Sequence, residues 1–316
     1  TFLEAQQIMF DFFGGTPKRL IFDNAKVAVK EGFGIQAKPQ DKYLSFSAHY
    51  AFSLDFCNPA SGNEKSLVEN LVGYSRRNFL VPVPKVNDIE DLNRKLWNDC
   101  ISYRKKHKVA NRQQPVNVMY QEETSFLKPI PRYRFDTSKT VMAKVDDFST
   151  VRYEKNNYSV PTKYLRKDVT VKGYANNIRI LHEGLVVATY LRQYGFGHTE
   201  YRLEHYIDLL ERKPRSVSNA RPVKETLTKE LLDWGNQLPG GNKEMVKLLR
   251  LCVDYGEERI LTIKRRISGY VIPTVDMVRT YLNEPVTSSI IYLKNEIEIT
   301  KTDLQKYDEK YGVANQ

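Results

Sequence analysis

Cysteine is scarce in this chain. Cys57, Cys100 and Cys252 are three in 316 residues, odd in number and far apart. That excludes a disulfide framework and a zinc cluster, and a reducing cytoplasm is the simplest home for such thiols. The five histidines are equally scattered, with neither an HExxH pair nor a Cys/His spacing that holds zinc. Long apolar runs are missing as well. None approaches the roughly 18 residues needed to span a bilayer, and no signal peptide opens the chain. LPGGNKE, near residue 240, has two glycines and a lysine but not the Walker spacing. No internal repeat is visible. Acidic residues fall short too: 38 Asp and Glu face 49 Lys and Arg, a net charge of +11. A surplus of that size favours a polyanionic partner, with nucleic acid well ahead of an anionic membrane surface.

What is present is ordinary in bulk, with 41% hydrophobic and 28% charged residues. The length allows two or three domains, each with its own core. The chain starts at Thr1 directly on a helix-like pattern and reads as a piece of something longer. Residues 3–13 have apolar residues at helical spacing, stopped by Gly14, Gly15 and Pro17. LIF (20–22) reads as a short strand, 27–34 as another, 40–52 as a helix and SLDF (53–56) as a strand. A polar loop, 57–65, feeds a helix from about 64 to 79. DIEDLNRKLWNDCISYRKK (88–106) is an amphipathic helix with acids first and bases last, as the helix dipole prefers. This alternation predicts an α/β layer domain over 1–110. A proline-punctuated linker with one short helix follows over 111–137. From 138 the runs turn short, alternating and rich in Val, Thr and Tyr, which predicts a small antiparallel β-barrel over 138–210. ERKPRSVSNARPVK reads as a basic linker, bounded at 211–222. A helical C-terminal region, 223–316, has helices at about 223–238, 243–267 and 274–283.

Two acids stand out within this frame. Asp23 ends the apolar strand LIFDN, and Glu69 lies on the helix within NEKSLVENLVGYSRRNFLVP, some 45 residues later. Two-metal phosphoryl-transfer enzymes need carboxylates that clamp two divalent ions about 3.5–4 Å apart, and magnesium takes hard oxygen ligands of this kind. The plain alternative is that an aspartate after a strand caps a turn and a helical glutamate is solvated. Glu64 competes with Glu69, but its place in the first helical turn, beside Asn63 as a cap, explains it without chemistry. Gly73, at i+4 from Glu69, leaves room for close approach of a backbone. Arg76 lies near the same face at i+7, with Arg77 beside it, and both are candidate phosphate contacts. Lys65 either pairs with Glu69 or touches DNA, and Lys26 lies just past Asp23. The acid-free run ISYRKKHKVANR adds Arg104, Lys105, Lys106 and Lys108. The expected barrel adds Arg152, Lys163, Arg166 and Lys167, besides Lys155 and Lys172. His49 reads as a packed helix residue, and Asp11 sits within an apolar helix.

Taken together, LIFDN, then YLSFSAHYAF, then CNP…SG…SLVENLVGYSRRNFLVP resembles the catalytic core of the DDE transposases and retroviral-type integrases. Within that superfamily it is most similar to the IstA transposases, the larger proteins of insertion sequences whose partner is the AAA+ ATPase IstB. The matching positions are Asp23 and Asn24; Ala48, His49 and Tyr50; Val68 and Glu69; and Arg76 through Leu80. RYEKNNYSVPTKYLRKDVTVKGYANNIRILHEG looks like the barrel that follows the catalytic domain in this group and in phage Mu-type transposases. YGEERILTIKRRISGYVIPTVDMVRTYL resembles the family's C-terminal helical segment. The resemblance covers most of the chain, with the linkers weakest.

The resemblance implies an RNase H-like fold for the first domain, with Asp23 and Glu69 as the second and third acids of a DDE triad. It implies Mg²⁺, with Mn²⁺ as substitute, and double-stranded DNA as substrate, both transposon ends and target. It further implies a homodimer or higher oligomer and an AAA+ helper of the IstB type. The family's first catalytic Asp and its DNA-reading helix-turn-helix domains lie upstream of the matched segment and are absent here. The loop from Asn58 to Gly62 resembles the integrase Asn-Pro loop but sits further from the glutamate, which leaves the role of Asn58 open. Two other readings stay open: a non-enzymatic DNA-binding scaffold that keeps the fold, and a retroviral-type integrase.

Overall fold

The computed structural model describes residues 2–22, 25–57, 62–108, 111–267 and 272–283, with the backbone alone over 62–69. The chain divides into two compact units, residues 1–200 and 201–316. Among the described residues no helix is long and apolar enough to cross a membrane.

The first unit opens with helix α1 (Phe2–Phe13), strand β1 (Arg19–Phe22), the short pair β2 (Val29–Glu31) and β3 (Lys38–Pro39), helix α2 (Asp41–Tyr50) and strand β4 (Ser53–Phe56). Helices α3 (Gly62–Phe79), α4 (Ile89–Lys106) and α5 (Val116–Thr124) follow. Strands β1 and β4 pair in parallel, with Leu20 opposite Leu54 and Phe22 opposite Phe56. These four side chains pack on a mostly aromatic core of Phe10, Tyr43, Phe46, Tyr50 and Phe52. The alternation therefore turns Arg19 and Asp55 outward, where they form an ion pair at 3.1 Å.

Seven strands follow. They are β5 (Lys139–Lys144), β6 (Thr150–Tyr153), β7 (Asn156–Ser159), β8 (Asp168–Gly173), β9 (Asn177–His182), β10 (Leu185–Leu191) and β11 (Thr199–Glu200). The first sheet is antiparallel, in the order β10-β9-β8-β5; the second runs β11-β7-β6, with β11 parallel to β7. Their inner faces share one core that includes Val151, Tyr153, Tyr158, Val171, Ile178, Ile180 and Tyr190. At Gly173 the contact is so close that a Cβ would lie 2.1 Å from the Tyr153 hydroxyl. The expected barrel is thus an open two-sheet module, with no closed ring of strands among the described residues. Strands β6 and β11, at the two sides of the shorter sheet, hydrogen-bond only to β7, so neither edge of the longer sheet is bridged.

The second unit is helical among its described residues. Its elements are α6 (Ile207–Arg212), α7 (Arg221–Thr226), α8 (Lys229–Gln237), α9 (Gly241–Tyr255), α10 (Glu257–Ile267) and α11 (Val275–Asn283), with 3-10 turns at Leu203–His205 and Pro214–Asn219. Two expectations change here. Residues 201–210, assigned to the barrel, and 211–222, assigned to a linker, fold with the helices. Leu203, Ile207, Leu210, Val217 and Val223 all join the helical core. The long helix expected over 243–267 is two helices, because Gly256 takes φ +84, which ends α9 and starts α10. Trp234, at the centre of this core, donates its indole N–H to the Pro273 carbonyl at 2.9 Å.

Candidate functional site

The parallel pair β1–β4 sets the frame. Its pairing extends one residue past the strands, where the Cys57 amide donates to the Phe22 carbonyl at 2.9 Å. Two chain directions therefore leave one sheet end side by side. Asp23 follows Phe22 and Asn58 follows Cys57 in sequence, and both lie outside the described residues. Glu69 and Lys65 belong to α3, with their side chains outside the description. Among the described residues no group of three His, Cys, Asp or Glu side chains is placed to hold a metal. Asp23 and Glu69 do offer hard oxygen donors, the type that Mg²⁺ takes.

Two other carboxylates near this frame are already engaged. Asp11 is gripped by both terminal nitrogens of Arg134, at 2.6 and 2.7 Å. Asp55, which sequence reasoning passed over, is held by Arg19. The inward–outward alternation of SLDF was the signal that could have placed it on the sheet's open face. His49 is a packing residue: its Nε2 meets the Tyr133 carbonyl at 2.9 Å and its ring contacts Tyr50 and Phe135.

The structure gathers some of the expected DNA-contact cations and separates others. Tyr103 of α4 touches Tyr74 and Phe79 of α3, with ring centroids 5.6 and 5.8 Å apart, and stacks on His107 at 4.4 Å. This packing sets the last turns of α3 and α4 side by side. Exposed Arg76 and Arg77 therefore share one end of the helix pair with exposed Lys105 and Lys106. Burial, then the Tyr74 hydroxyl, pushes the Tyr103 hydroxyl up to about 12. Arg77 also folds back over Gly73, where a Cβ would lie 3.3 Å from its guanidinium. Lys108 is exposed and pairs by its backbone with Pro115. Arg104 departs from the group. Its guanidinium lies over the rings of Tyr120 and Phe12, at 4.8 and 5.5 Å, with Nε and Nη1 buried.

Lys26 is exposed, and its carbonyl accepts from the Gln40 side chain. On the two-sheet module, Lys163 and Lys167 flank the Tyr164 ring, at 5.1 and 5.8 Å from its centroid. Arg166 pairs with Asp147 at 2.7 Å, and Arg152 donates to the Glu154 carbonyl at 3.3 Å. Lys172 is neutralised by Asp136 at 2.8 Å. Burial opposes ionisation of that carboxyl, yet hydrogen bonds from Lys172 and Ser138 hold it down to about 2.

Comparison with known proteins adds an independent line. Residues 130–201 match the family model described as Mu transposase, C-terminal domain. That span takes in the whole two-sheet module. The chain is 32% identical over 261 residues to a transposase for insertion sequences IS1326/IS1353 of Pseudomonas aeruginosa, covering 80% of this chain and 51% of that protein. It is 31% identical over 291 residues to a transposase of Aminobacter aminovorans, covering 90% of this chain and 57% of the relative. The transposase for insertion sequence element IS21 of Pseudomonas aeruginosa is 26% identical over 182 residues, 57% of this chain and 47% of that protein. The chain thus spans about half the length of the curated relatives it matches, and over most of its own length it is similar to insertion-sequence transposases.

Proposed function

We propose that this chain is part of an insertion-sequence transposase of the IstA type, in which Asp23 and Glu69 belong to a DNA-cleaving and DNA-joining site of an RNase H-like domain. The similarity to insertion-sequence transposases over 261 residues carries this reading. The parallel strand pair supports it, since β1, which Asp23 follows in sequence, and β4 finish at the same sheet end. The reaction is cleavage at transposon ends, then attack of the freed 3′-hydroxyl on target DNA. Mg²⁺, with Mn²⁺ as substitute, when bound supplies activation of the attacking oxygen and stabilisation of the leaving one.

The chain's own cations position the DNA. Arg76, Arg77, Lys105 and Lys106 at the shared end of α3 and α4 offer phosphate contacts on one part of the unit. Lys163 and Lys167 around Tyr164 offer them on another. Such contacts set register and carry little sequence information, and the affinity they supply falls steeply with salt. Two DNA ends must be synapsed, so the working form is a dimer or higher oligomer, and an IstB-type AAA+ ATPase is the expected helper.

A strand-transfer assay on the full-length protein, with transposon-end DNA and Mg²⁺ or Mn²⁺, tests this. Asp23→Asn and Glu69→Gln each abolish transfer while leaving end binding largely intact. Transfer at the wild-type rate by either variant rejects the site.

A further inference from the structure

The basic segment expected as a linker forms one wall of a pocket. In the helical unit an open concavity of about 730 Å³ is lined by Arg212, Lys213, Arg215, Ser216, Asn242 and Lys243. Arg212 ends α6, and the 3-10 turn Pro214–Asn219 follows. Val217, fully buried in the helical core, anchors this turn and leaves Arg215 and Ser216 exposed. The opposite wall is the first turn of α9, which carries Asn242 and Lys243. A hydrogen bond from the Ser218 hydroxyl to Asn242 Oδ1, at 3.1 Å, ties the walls together.

Four cations therefore surround one concavity, and all four are exposed. None of them forms an ion pair with a described residue, because nearby acids are committed elsewhere. Asp208 and Glu211 both bind Arg250 on α9, at 2.8 Å each. Glu244 accepts the Gly240 amide at 2.7 Å and the Val275 amide at 3.1 Å. A soluble protein normally intersperses its surface charges. Four like charges around one hollow, none of them in an ion pair with a described residue, call for an anion.

We infer that this concavity is a further DNA-contact surface, which grips consecutive phosphates of a nucleic-acid backbone. Its form fits that ligand better than a small anion. It is open, its cations are long and flexible, and they come from both walls. Small-ligand sites bury most of the ligand and fix it with a few convergent groups; backbone phosphates are met by exposed Lys and Arg. The inference rests on the reading that DNA is the partner, and it extends DNA contact to the helical unit.

The test measures binding of the full chain to a fluorescent random-sequence duplex across a salt series. Arg215→Gln/Lys243→Gln removes one cation from each wall. Lys229→Gln/Arg279→Gln removes the same charge elsewhere on the helical unit and serves as the control. Two lost phosphate contacts lower the slope of log affinity against log salt by about 1.8, and affinity by about tenfold at moderate salt. The control changes affinity less than about twofold with its slope unchanged. A second pair, Arg212→Gln/Lys213→Gln, is measured in parallel with the same expected loss, and matched melting temperatures show that each variant is folded. Pocket variants that bind like the control overturn this inference and leave the transposase reading standing. A wild-type chain that fails to bind duplex DNA overturns both.

Discussion

Acid should loosen the helical unit well before its carboxylates are protonated, and His205 is the reason. This side chain ends the 3-10 turn Leu203–His205, is 6% exposed, and lies between Leu203 and Tyr206 of the helical core. Burial, and then the charge of Arg202, push its imidazole down to about 4 from the ordinary 6.5. The unfolded chain therefore binds a proton in a range where the folded chain does not. Stability then rises with pH between those two values and is lost as pH falls through the unfolded value. For a shift of that size the loss is about 2 kcal/mol from about pH 7 to about pH 5, approaching about 3 kcal/mol at lower pH. Urea unfolding followed through Trp234 reads this directly, since Trp234 is 2% exposed in the same core. The other tryptophan, Trp97, is replaced by Phe so that the signal reports the helical unit alone. A loss of about 2 kcal/mol corresponds to a midpoint lower by about 1 M urea. His205→Gln, which cannot titrate, should be less stable at neutral pH and largely lose this pH dependence. Equal pH dependence in the two proteins would refute the assignment.

Three further outcomes follow from the first unit. Gly173→Ala sets a Cβ 2.1 Å from the hydroxyl and 2.3 Å from a ring carbon of buried Tyr153; it should cost about 1–3 kcal/mol, and an unchanged thermal midpoint by circular dichroism would show that the sheets do not meet there. Tyr190→Phe removes a buried hydroxyl that lies 2.6 Å from the Ser159 carbonyl and 2.7 Å from the Ser159 hydroxyl; a loss of about 1–3 kcal/mol is expected in denaturant titration, and a neutral result would contradict the hydrogen bond. Arg104→Ala removes a guanidinium stacked over Tyr120 and Phe12 and should lower stability by about 1 kcal/mol with DNA affinity nearly unchanged. Weakened binding at full stability would return Arg104 to the DNA-contact group.

What the sequence revealed and what it concealed divide along the range of the interactions involved. Helical spacing in LEAQQIMFDFF and the alternation in SLDF are local, and α1 and β4 fall where these patterns place them. Closure of a barrel is not local. The Val- and Thr-rich runs announce strands, but whether β6 and β11 reach the edges of the longer sheet depends on residues far apart in sequence. The basic linker misleads for another reason. In RKPRSVSNARPVK the charged and small residues dominate the eye, yet Val217 and Val223, 0% and 1% exposed, decide where the segment goes.

The candidate site obeys the same division. Strand β1, which Asp23 follows in sequence, and helix α3, to which Glu69 belongs, are legible, because strand and helix are local facts. The fate of each cation is not, because an exposed Lys or Arg is defined by what the fold brings to it. Arg104 meets two rings, Lys172 meets Asp136, and Arg166 meets Asp147. Arg212, Lys213, Arg215 and Lys243 meet no described carboxylate, although the same linear sequence places Asp208, Glu211 and Glu244 beside them. Arg250 makes that difference from more than 30 positions away by drawing Asp208 and Glu211 onto itself. A segment of high apparent charge and little apparent structure in the sequence thus becomes a defined cationic hollow, through one arginine that the local pattern does not mark.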